Sequence, residues 1–218
     1  MPQIVVKGPT GRLEAFYHHS PVKNSPIALI LHSNPQLGGT MHDKPVYVIY
    51  KAFADLGFSV MRFNFRGVGR SEGESKATEI ELEDASACLN WLCAHNPDPA
   101  HCFVGGYSFG AYIGMQLLMR RPEVKRFISV APPINLYDFS FLAPCPAPGL
   151  VLQGSNDMMV PREAVTRFVN RLNAQPSMNI QMKVLRHAEH DFAGNLVDLF
   201  DATQEYVKKE MERKKKEG

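Results

Sequence analysis

FVGGYSFGA (residues 103–111) holds the pattern Gly-x-Ser-x-Gly, with an apolar strand-like run before it and an apolar helix-like run after it. In that context the pattern predicts a sharp strand-to-helix turn with Ser108 at its centre. Such a turn needs small residues two positions before and two positions after the centre, and Gly106 and Gly110 meet that need. We therefore predict that the Ser108 hydroxyl stands free at the carboxyl end of a strand. The alternative is an idle serine in a glycine-rich turn.

Strand-like and helix-like segments alternate along most of the chain, which predicts an α/β fold with a mostly parallel central sheet of about eight strands and helices on both faces. The expected strands are QIVVKG, RLEAFYHH, PIALILHS, SVMRFNF, HCFVGGYS, RFISVAPP, GLVLQGS and IQMKVLRH. The first two are expected to form an antiparallel opening hairpin. Five helices are expected. Three of them cover about 43–56, 110–121 and about 192–210. Another begins at a capping box of Thr78 and Glu81, and the last has Pro161 in its first turn.

Length and composition indicate an ordinary globular protein. The 218 residues fit a single α/β domain over 1–218, in which about 208–218 is a charged helix end or tail. Hydrophobic residues make up 44%, charged residues 21%, and the net charge is +2, so nothing suggests a nucleic-acid partner. No signal peptide and no membrane span are recognisable. Four cysteines without metal spacing or a disulfide framework favour free thiols and therefore the cytoplasm.

A serine hydroxyl becomes a useful nucleophile only beside a base that is itself oriented by a carboxylate. Hydrolases with this kind of turn have the chain order serine, acid, histidine, with the last two following strands. Asp157 follows the strand-like GLVLQGS and is the favoured acid, with Asp138 as the weaker candidate. His190 follows the last predicted strand and is the favoured base, with His187 as its rival.

Two backbone N–H groups are expected to stabilise an oxyanion beside Ser108. One belongs to Phe109, at the start of the helix after the serine. The other is expected from the loop after PIALILHS, where Asn34 is the favoured donor because Pro35 has no N–H. The side chain of Asn34 is a further candidate donor. Chemistry of this kind needs no metal and no organic cofactor.

Four segments together resemble an α/β-hydrolase over nearly the whole chain: GYSFGA at the serine, FNFRGVGRSEG after the fourth strand, QGSNDMMVP at the acid and AEHDF at the histidine. Within that superfamily the chain resembles the small, lidless, bacterial-type serine hydrolases related to dienelactone hydrolase. The resemblance implies Ser108 as nucleophile, Asp157 as orienting acid and His190 as base. In two places the chain departs from the family pattern. The family's H-P-H-P reads His32-Ser33-Asn34-Pro35, and its G-D-x-D reads Gly154-Ser155-Asn156-Asp157.

The segment where lids insert in this superfamily is short here, spanning residues 132–149, and predicts an open, shallow site. Short-chain carboxylic esters are therefore the expected small-molecule substrates. Phe139, Phe141 and Leu142 are expected to form one wall of an acyl pocket, and His32 is expected to contact the substrate. A second interpretation, which does not exclude the first, is that this loop packs its own aromatic rings on the core. A thioesterase, a peptidase and a non-catalytic ligand-binding protein stay open as alternatives, and the sequence is silent on a homodimer.

Overall fold

The computed structural model, which describes residues 3–76, 80–176 and 178–217, contains eight strands in one sheet. The strands are β1 (Gln3–Lys7), β2 (Arg12–His18), β3 (Ile27–Leu31), β4 (Ser59–Phe63), β5 (Cys102–Tyr107), β6 (Arg126–Val130), β7 (Gly149–Gly154) and β8 (Ile180–Leu185). Their order across the sheet is β1-β2-β4-β3-β5-β6-β7-β8. The β1–β2 and β2–β4 pairs are antiparallel and the other pairs are parallel. The α/β fold and its antiparallel opening pair are therefore confirmed.

Helices cover both faces of the sheet. They are α1 (Lys44–Asp55), α2 (Glu81–His95), α3 (Phe109–Arg120), α4 (Arg162–Asn173) and α5 (Leu196–Glu217). The buried side chains of α1 and α5 form a core on one face, and those of α2, α3 and α4 form a core on the other. All five residues of β3 are buried, as expected for a strand covered on both sides.

Some helix starts differ from the predictions. The final helix begins at Leu196 rather than near Phe192, because Phe192 has a left-handed backbone (φ +54°) and packs its buried ring into the core from a loop. Pro161 lies at the N-cap position of α4, one residue before its first turn, rather than within that turn. Thr78 of the predicted capping box lies outside the described residues, and the Glu81 carboxylate accepts hydrogen bonds from Ser75 Oγ and the Lys76 N–H.

The loop after β4 is fixed by hydrogen bonds to neighbouring elements. The buried Arg66 guanidinium donates to both carboxylate oxygens of the buried Asp84, at 2.9 and 2.7 Å. Ser71 Oγ donates to the Asn64 carbonyl at 2.7 Å and accepts from the Glu14 N–H at 2.9 Å. Because these groups are already hydrogen-bonded, they hold the loop in place against the sheet and are not free to bind an anion.

The four cysteines, Cys88, Cys93, Cys102 and Cys145, carry free thiols. Burial raises the pKa of each thiol. High thiol pKa values disfavour the reactive thiolate, so these residues act as small apolar side chains of the core. Within the described ranges, no helix has the length and apolar character that crossing a membrane requires.

Candidate active site

Ser108 lies between the end of β5 and the first turn of α3 in a strained backbone conformation, with φ +52° and ψ −118°. The Ser108 N–H donates to the Val130 carbonyl at 2.8 Å, which ties the turn to β6. A Cβ atom on Gly106 would lie 2.3 Å from the Gly110 carbonyl oxygen, and one on Gly110 would lie 2.3 Å from the Leu31 carbonyl oxygen. Backbone crowding therefore explains both glycines of the sequence pattern, and strain at a serine marks a candidate functional position.

Ser108, His190 and Asp157 form a continuous hydrogen-bonded chain. His190 Nε2 lies 3.1 Å from Ser108 Oγ, and His190 Nδ1 lies 2.9 Å from Asp157 Oδ2. Asp157 follows β7 and His190 follows β8, so the three residues come from the carboxyl ends of three parallel strands. Parallel strands bring their carboxyl ends to one edge of the sheet, which is where ligands bind in folds of this kind.

Asp157 is held as a buried carboxylate. Burial by itself raises its pKa, but hydrogen bonds from His190, from the Val160 N–H and from the Gln153 side chain outweigh this, so the pKa lies below its ordinary value. The Met159 and Val160 N–H groups donate to Oδ1 at 2.9 and 2.8 Å. Gln153 Nε2 donates to Oδ2 at 2.9 Å.

This arrangement fixes the orientation and the tautomer of His190. Because an ionised carboxylate only accepts hydrogen bonds, the proton of the neutral imidazole lies on Nδ1, facing Asp157. The lone pair of Nε2 then faces Ser108 and can accept the proton of its hydroxyl. A half-buried histidine that carries its proton on Nδ1 and presents an unprotonated Nε2 to a serine hydroxyl is suited to act as a general base.

The two rival residues have other partners. Asp138 is exposed, and its carboxylate accepts hydrogen bonds from the N–H and the hydroxyl of Ser140, each at 2.8 Å. His187 is exposed, has a left-handed backbone (φ +59°) and donates its backbone N–H to Ser155 Oγ at 2.8 Å. The structure therefore assembles Asp157 and His190, rather than Asp138 and His187, around Ser108.

Phe109 directly follows Ser108 in the chain, and Asn34 lies in the loop after β3. Phe109 is the first residue of α3, and the first N–H groups of a helix have no partner within it. Asn34 precedes a short 3₁₀ turn over Pro35–Leu37. Its Oδ1 accepts from the Gln36 N–H at 2.8 Å, and its Nδ2 donates to the Tyr137 hydroxyl at 3.3 Å. One hydrogen of Nδ2 is engaged by Tyr137 and the second has no partner among these bonds, so a role of the Asn34 side chain as an oxyanion donor stays a prediction.

His32 does not lie where a substrate could touch it, which corrects the sequence-based expectation. Its side chain is fully buried, Nδ1 is 2.7 Å from the Ser33 carbonyl oxygen, and Nε2 accepts from the Phe65 N–H at 3.0 Å. Burial lowers the pKa of His32 to about 4, so the ring is neutral near pH 7 and donates from Nδ1. His32 therefore joins the loop after β3 to the loop after β4.

The residues expected to form a wall of an acyl pocket pack against the core. Phe139 and Leu142 are buried, and Phe139 packs edge-on against Phe168 with ring centres 5.3 Å apart. Half-buried Phe141 stacks on Phe139 at 6.0 Å. The loop therefore packs these side chains on the core, as the second interpretation predicted, and their role in an acyl pocket stays a prediction. Tyr137, which sequence reasoning missed, connects this loop to the site instead: its ring centre is 5.7 Å from that of Phe109.

A cavity of about 540 Å³ opens beside His190. Its walls are formed by Tyr107, Asn156, Met158, Met159, Glu189, His190 and Asp191. Apart from His190, sequence reasoning assigned none of these residues, although each adjoins or closely neighbours Ser108, Asp157 or His190 in the chain. A larger cavity of about 780 Å³ lies between the turn at Lys7–Pro9 and α2, and none of the three hydrogen-bonded residues lines it. Among the residues that the structure describes, no three His, Cys, Asp or Glu side chains gather as a metal site.

Comparison with known proteins gives the class of the chain. Residues 26–149 match the family model of the alpha/beta hydrolase fold. A protein of unknown function from Agrobacterium tumefaciens, solved by crystallography, is 45% identical over 97% of both chains, with a TM-score of 0.94. A serine hydrolase without a lid from Xanthomonas campestris is 31% identical over 95% of this chain and 94% of its own, with a TM-score of 0.85.

The chain therefore belongs to the alpha/beta hydrolase family, and a serine hydrolase without a lid is among its solved neighbours. An uncharacterised protein from Rickettsia prowazekii is 46% identical over 211 residues, which cover 95% of this chain and 89% of that protein. The more specific resemblance to dienelactone hydrolase stays a prediction.

Proposed function

We propose that this protein is a serine hydrolase that cleaves short-chain carboxylic esters through an acyl-enzyme intermediate. The observation that carries the proposal is the hydrogen-bonded chain from Ser108 Oγ through His190 to Asp157, at 3.1 and 2.9 Å, with Ser108 at a strained strand-to-helix turn. Acyl transfer by a serine requires a nucleophile that is hydrogen-bonded to a base, and a base that is oriented by an acid.

In the first half of the reaction, Ser108 Oγ attacks the ester carbonyl carbon while its proton passes to His190 Nε2. The negative charge that develops on the carbonyl oxygen is stabilised by the backbone N–H groups of Phe109 and Asn34. When the tetrahedral intermediate collapses, the ester C–O bond breaks and His190 returns the proton to the departing alcohol. Asp157 stays ionised throughout and stabilises the charged imidazole.

In the second half, a water molecule takes the place of the alcohol. His190 accepts a proton from this water as its oxygen attacks the acyl carbon. The bond between Ser108 Oγ and the acyl group then breaks, and the proton returns from His190 to Oγ. Removal of one oxyanion donor from such a cycle costs about a hundredfold or more in rate.

The short segment between β6 and β7 supports short-chain substrates. Its apolar side chains Phe139 and Leu142 are buried in the core rather than arranged as a long apolar channel. A long acyl chain would therefore find little enclosed surface on this side of Ser108. The four free cysteines favour a reducing compartment, and the proposal accordingly places the enzyme in the cytoplasm.

The test is hydrolysis of p-nitrophenyl acetate, butyrate and octanoate by the wild type, Ser108→Ala and His190→Ala, with His187→Ala as the matched control. We expect activity that falls with chain length, that is lost in the first two variants and that is retained in the third. Activity that survives Ser108→Ala would remove this serine as the nucleophile.

Labelling with a fluorophosphonate probe separates the remaining alternatives. If Ser108 is labelled but no ester is cleaved, the chemistry moves to a thioesterase or a peptidase of the same fold. If Ser108 is neither labelled nor active, the chain is a ligand-binding member of the family. Labelling without ester cleavage would contradict only the ester specificity. Absence of both labelling and activity would contradict the serine-hydrolase proposal itself.

A further inference from the structure

The cavity beside His190 lies where a leaving group has to depart. If the proposed function holds, His190 gives its proton to the oxygen of the leaving alcohol, and that oxygen must come within hydrogen-bonding reach of Nε2. His190 itself lines the cavity of about 540 Å³, so the rest of the alcohol extends into this space. The properties of its walls therefore report on the alcohol portion of the substrate.

The walls of the cavity are negatively charged. Glu189 and Asp191 are exposed carboxylates on either side of His190, and no lysine or arginine is among the described residues that line the cavity. The negative field reaches the buried wall as well: burial raises the pKa of Tyr107, and the charges of Asp43, Asp191 and Asp157 raise it further. A ligand with a negative charge would be repelled here, and one with a positive charge would be attracted.

Tyr107 forms the inner wall of the cavity. Only 6% of the residue is exposed, its ring centre is 5.5 Å from that of His190, and it lines the cavity. Its hydroxyl is not one of the buried side-chain atoms that lack a partner in the described part of the chain. A tyrosine hydroxyl at this wall can donate a hydrogen bond to a ligand or accept one from it.

Two methionines form the outer wall. Met158 is 94% exposed and Met159 is 48% exposed. Unbranched thioether side chains adapt to ligands of varied shape and provide apolar, polarisable contact. The cavity therefore combines apolar contact with negative charge, a combination that suits an alkylammonium group.

We infer that this cavity binds the alcohol portion of an ester that carries a cationic group, an ammonium or trimethylammonium on a short alkyl chain. The inference rests on the proposed function for the direction in which the alcohol leaves. Glu189 and Asp191 attract the cation, Met158 and Met159 contact its alkyl groups, and Tyr107 bonds a polar atom of the alcohol portion.

The experiment compares two acetate esters of the same shape, that of choline and that of 3,3-dimethylbutanol, which has carbon in place of the charged nitrogen. We expect the wild type to cleave the choline ester with a kcat/KM about three- to tenfold higher, the size expected from one or two solvent-screened charge contacts. The preference should fade at about 1 M salt, where charges are screened beyond about 3 Å. It should disappear in the double variant Glu189→Gln, Asp191→Asn and persist in the control Asp201→Asn on α5.

A second measurement does not need turnover. Tetramethylammonium is titrated into protein with carbon-13 methionine methyl groups, and the shifts of Met158 and Met159 are followed by NMR. We expect saturable shifts in the wild type that the double variant loses. Equal kcat/KM for the two esters together with no methionine shift would overturn the inference, while Ser108-dependent cleavage of the neutral ester would leave the proposed function intact. Methionine shifts without cleavage of either ester would support the cation site and count against the esterase proposal.

Discussion

The side-chain amide of Asn34 donates a hydrogen bond to the hydroxyl of Tyr137 at 3.3 Å, which joins the loop after β3 to the short segment between β6 and β7. Tyr137 is held in turn by stacking on Tyr112, with ring centres 4.6 Å apart. The residue proposed to offer an oxyanion donor is therefore anchored from a segment more than a hundred positions away in the chain.

Replacement of Tyr137 by Phe should lower kcat and leave KM nearly unchanged. The variant keeps the stacked ring and removes only the partner of Asn34, so the N–H of Asn34 is less well oriented toward a charge that develops only in the transition state. We expect a loss in kcat of about three- to tenfold, the size of one hydrogen bond. Steady-state kinetics on p-nitrophenyl butyrate provide the measurement. Tyr206→Phe on α5 is the control, and a loss confined to KM would contradict the prediction.

Replacement of Asp157 by Asn should reduce kcat about 10⁴-fold with little change in fold. The amide donates where the carboxylate accepts, so the proton of His190 moves from Nδ1 to Nε2 and the ring loses its ability to accept from Ser108. Asp138→Asn is the matched control because that carboxylate bonds only to Ser140 among the described residues. Comparable losses in the two variants would argue against Asp157 as the orienting acid.

Replacement of Gly110 by Ala should destabilise the protein by about 2 kcal/mol or more, because the added Cβ would meet the Leu31 and His32 carbonyl oxygens at 2.3 and 2.5 Å. Backbone atoms of a buried strand cannot give way as a flexible side chain can. At Gly194 a Cβ would meet nothing within 4 Å, so Gly194→Ala should change the free energy of unfolding by less than about 0.5 kcal/mol. Urea denaturation of both variants provides the measurement. Equal stability of the two would show that the turn can relax.

Acid should destabilise the fold partly through His32, whose pKa is lowered by burial to about 4. Between the ordinary pKa of about 6.5 and this value, the unfolded chain binds a proton on His32 that the folded chain excludes. The contribution of His32 to the free energy of unfolding is therefore largest above about pH 6.5. It falls as the pH decreases and levels off below about pH 4, with a total change of about 3 kcal/mol. His32→Gln, which keeps a donor and an acceptor, should flatten the difference between unfolding curves at pH 7 and pH 4.5. An unchanged pH dependence in this variant would assign the acid sensitivity to other groups.

The alternation of apolar segments and the pattern around Ser108 were enough to predict the α/β sheet, its antiparallel opening pair and the strand-to-helix turn. These features are local. The periods of strands and helices are set by residues close together in the chain. A turn that brings Gly106 against Gly110 leaves no room for a larger side chain at either position. Chain order after successive strands also singled out Asp157 and His190, because parallel strands end at the same edge of the sheet.

The roles of His32, Phe139 and Leu142 could not be determined in this way, because burial depends on what the rest of the chain brings to each position. His32 follows a strand next to the site, yet the loop after β4 covers it and takes up its Nε2 through the Phe65 N–H. Phe139 and Leu142 pack inward because α4 supplies Phe168 as a partner. Likewise, the cavity of Tyr107, Met158 and Glu189 exists only because the end of β5 meets the loops after β7 and β8. Sequence alone determined the periodic elements and the order of the chemical groups, whereas contacts between distant segments decided which side chains are enclosed and which face a ligand.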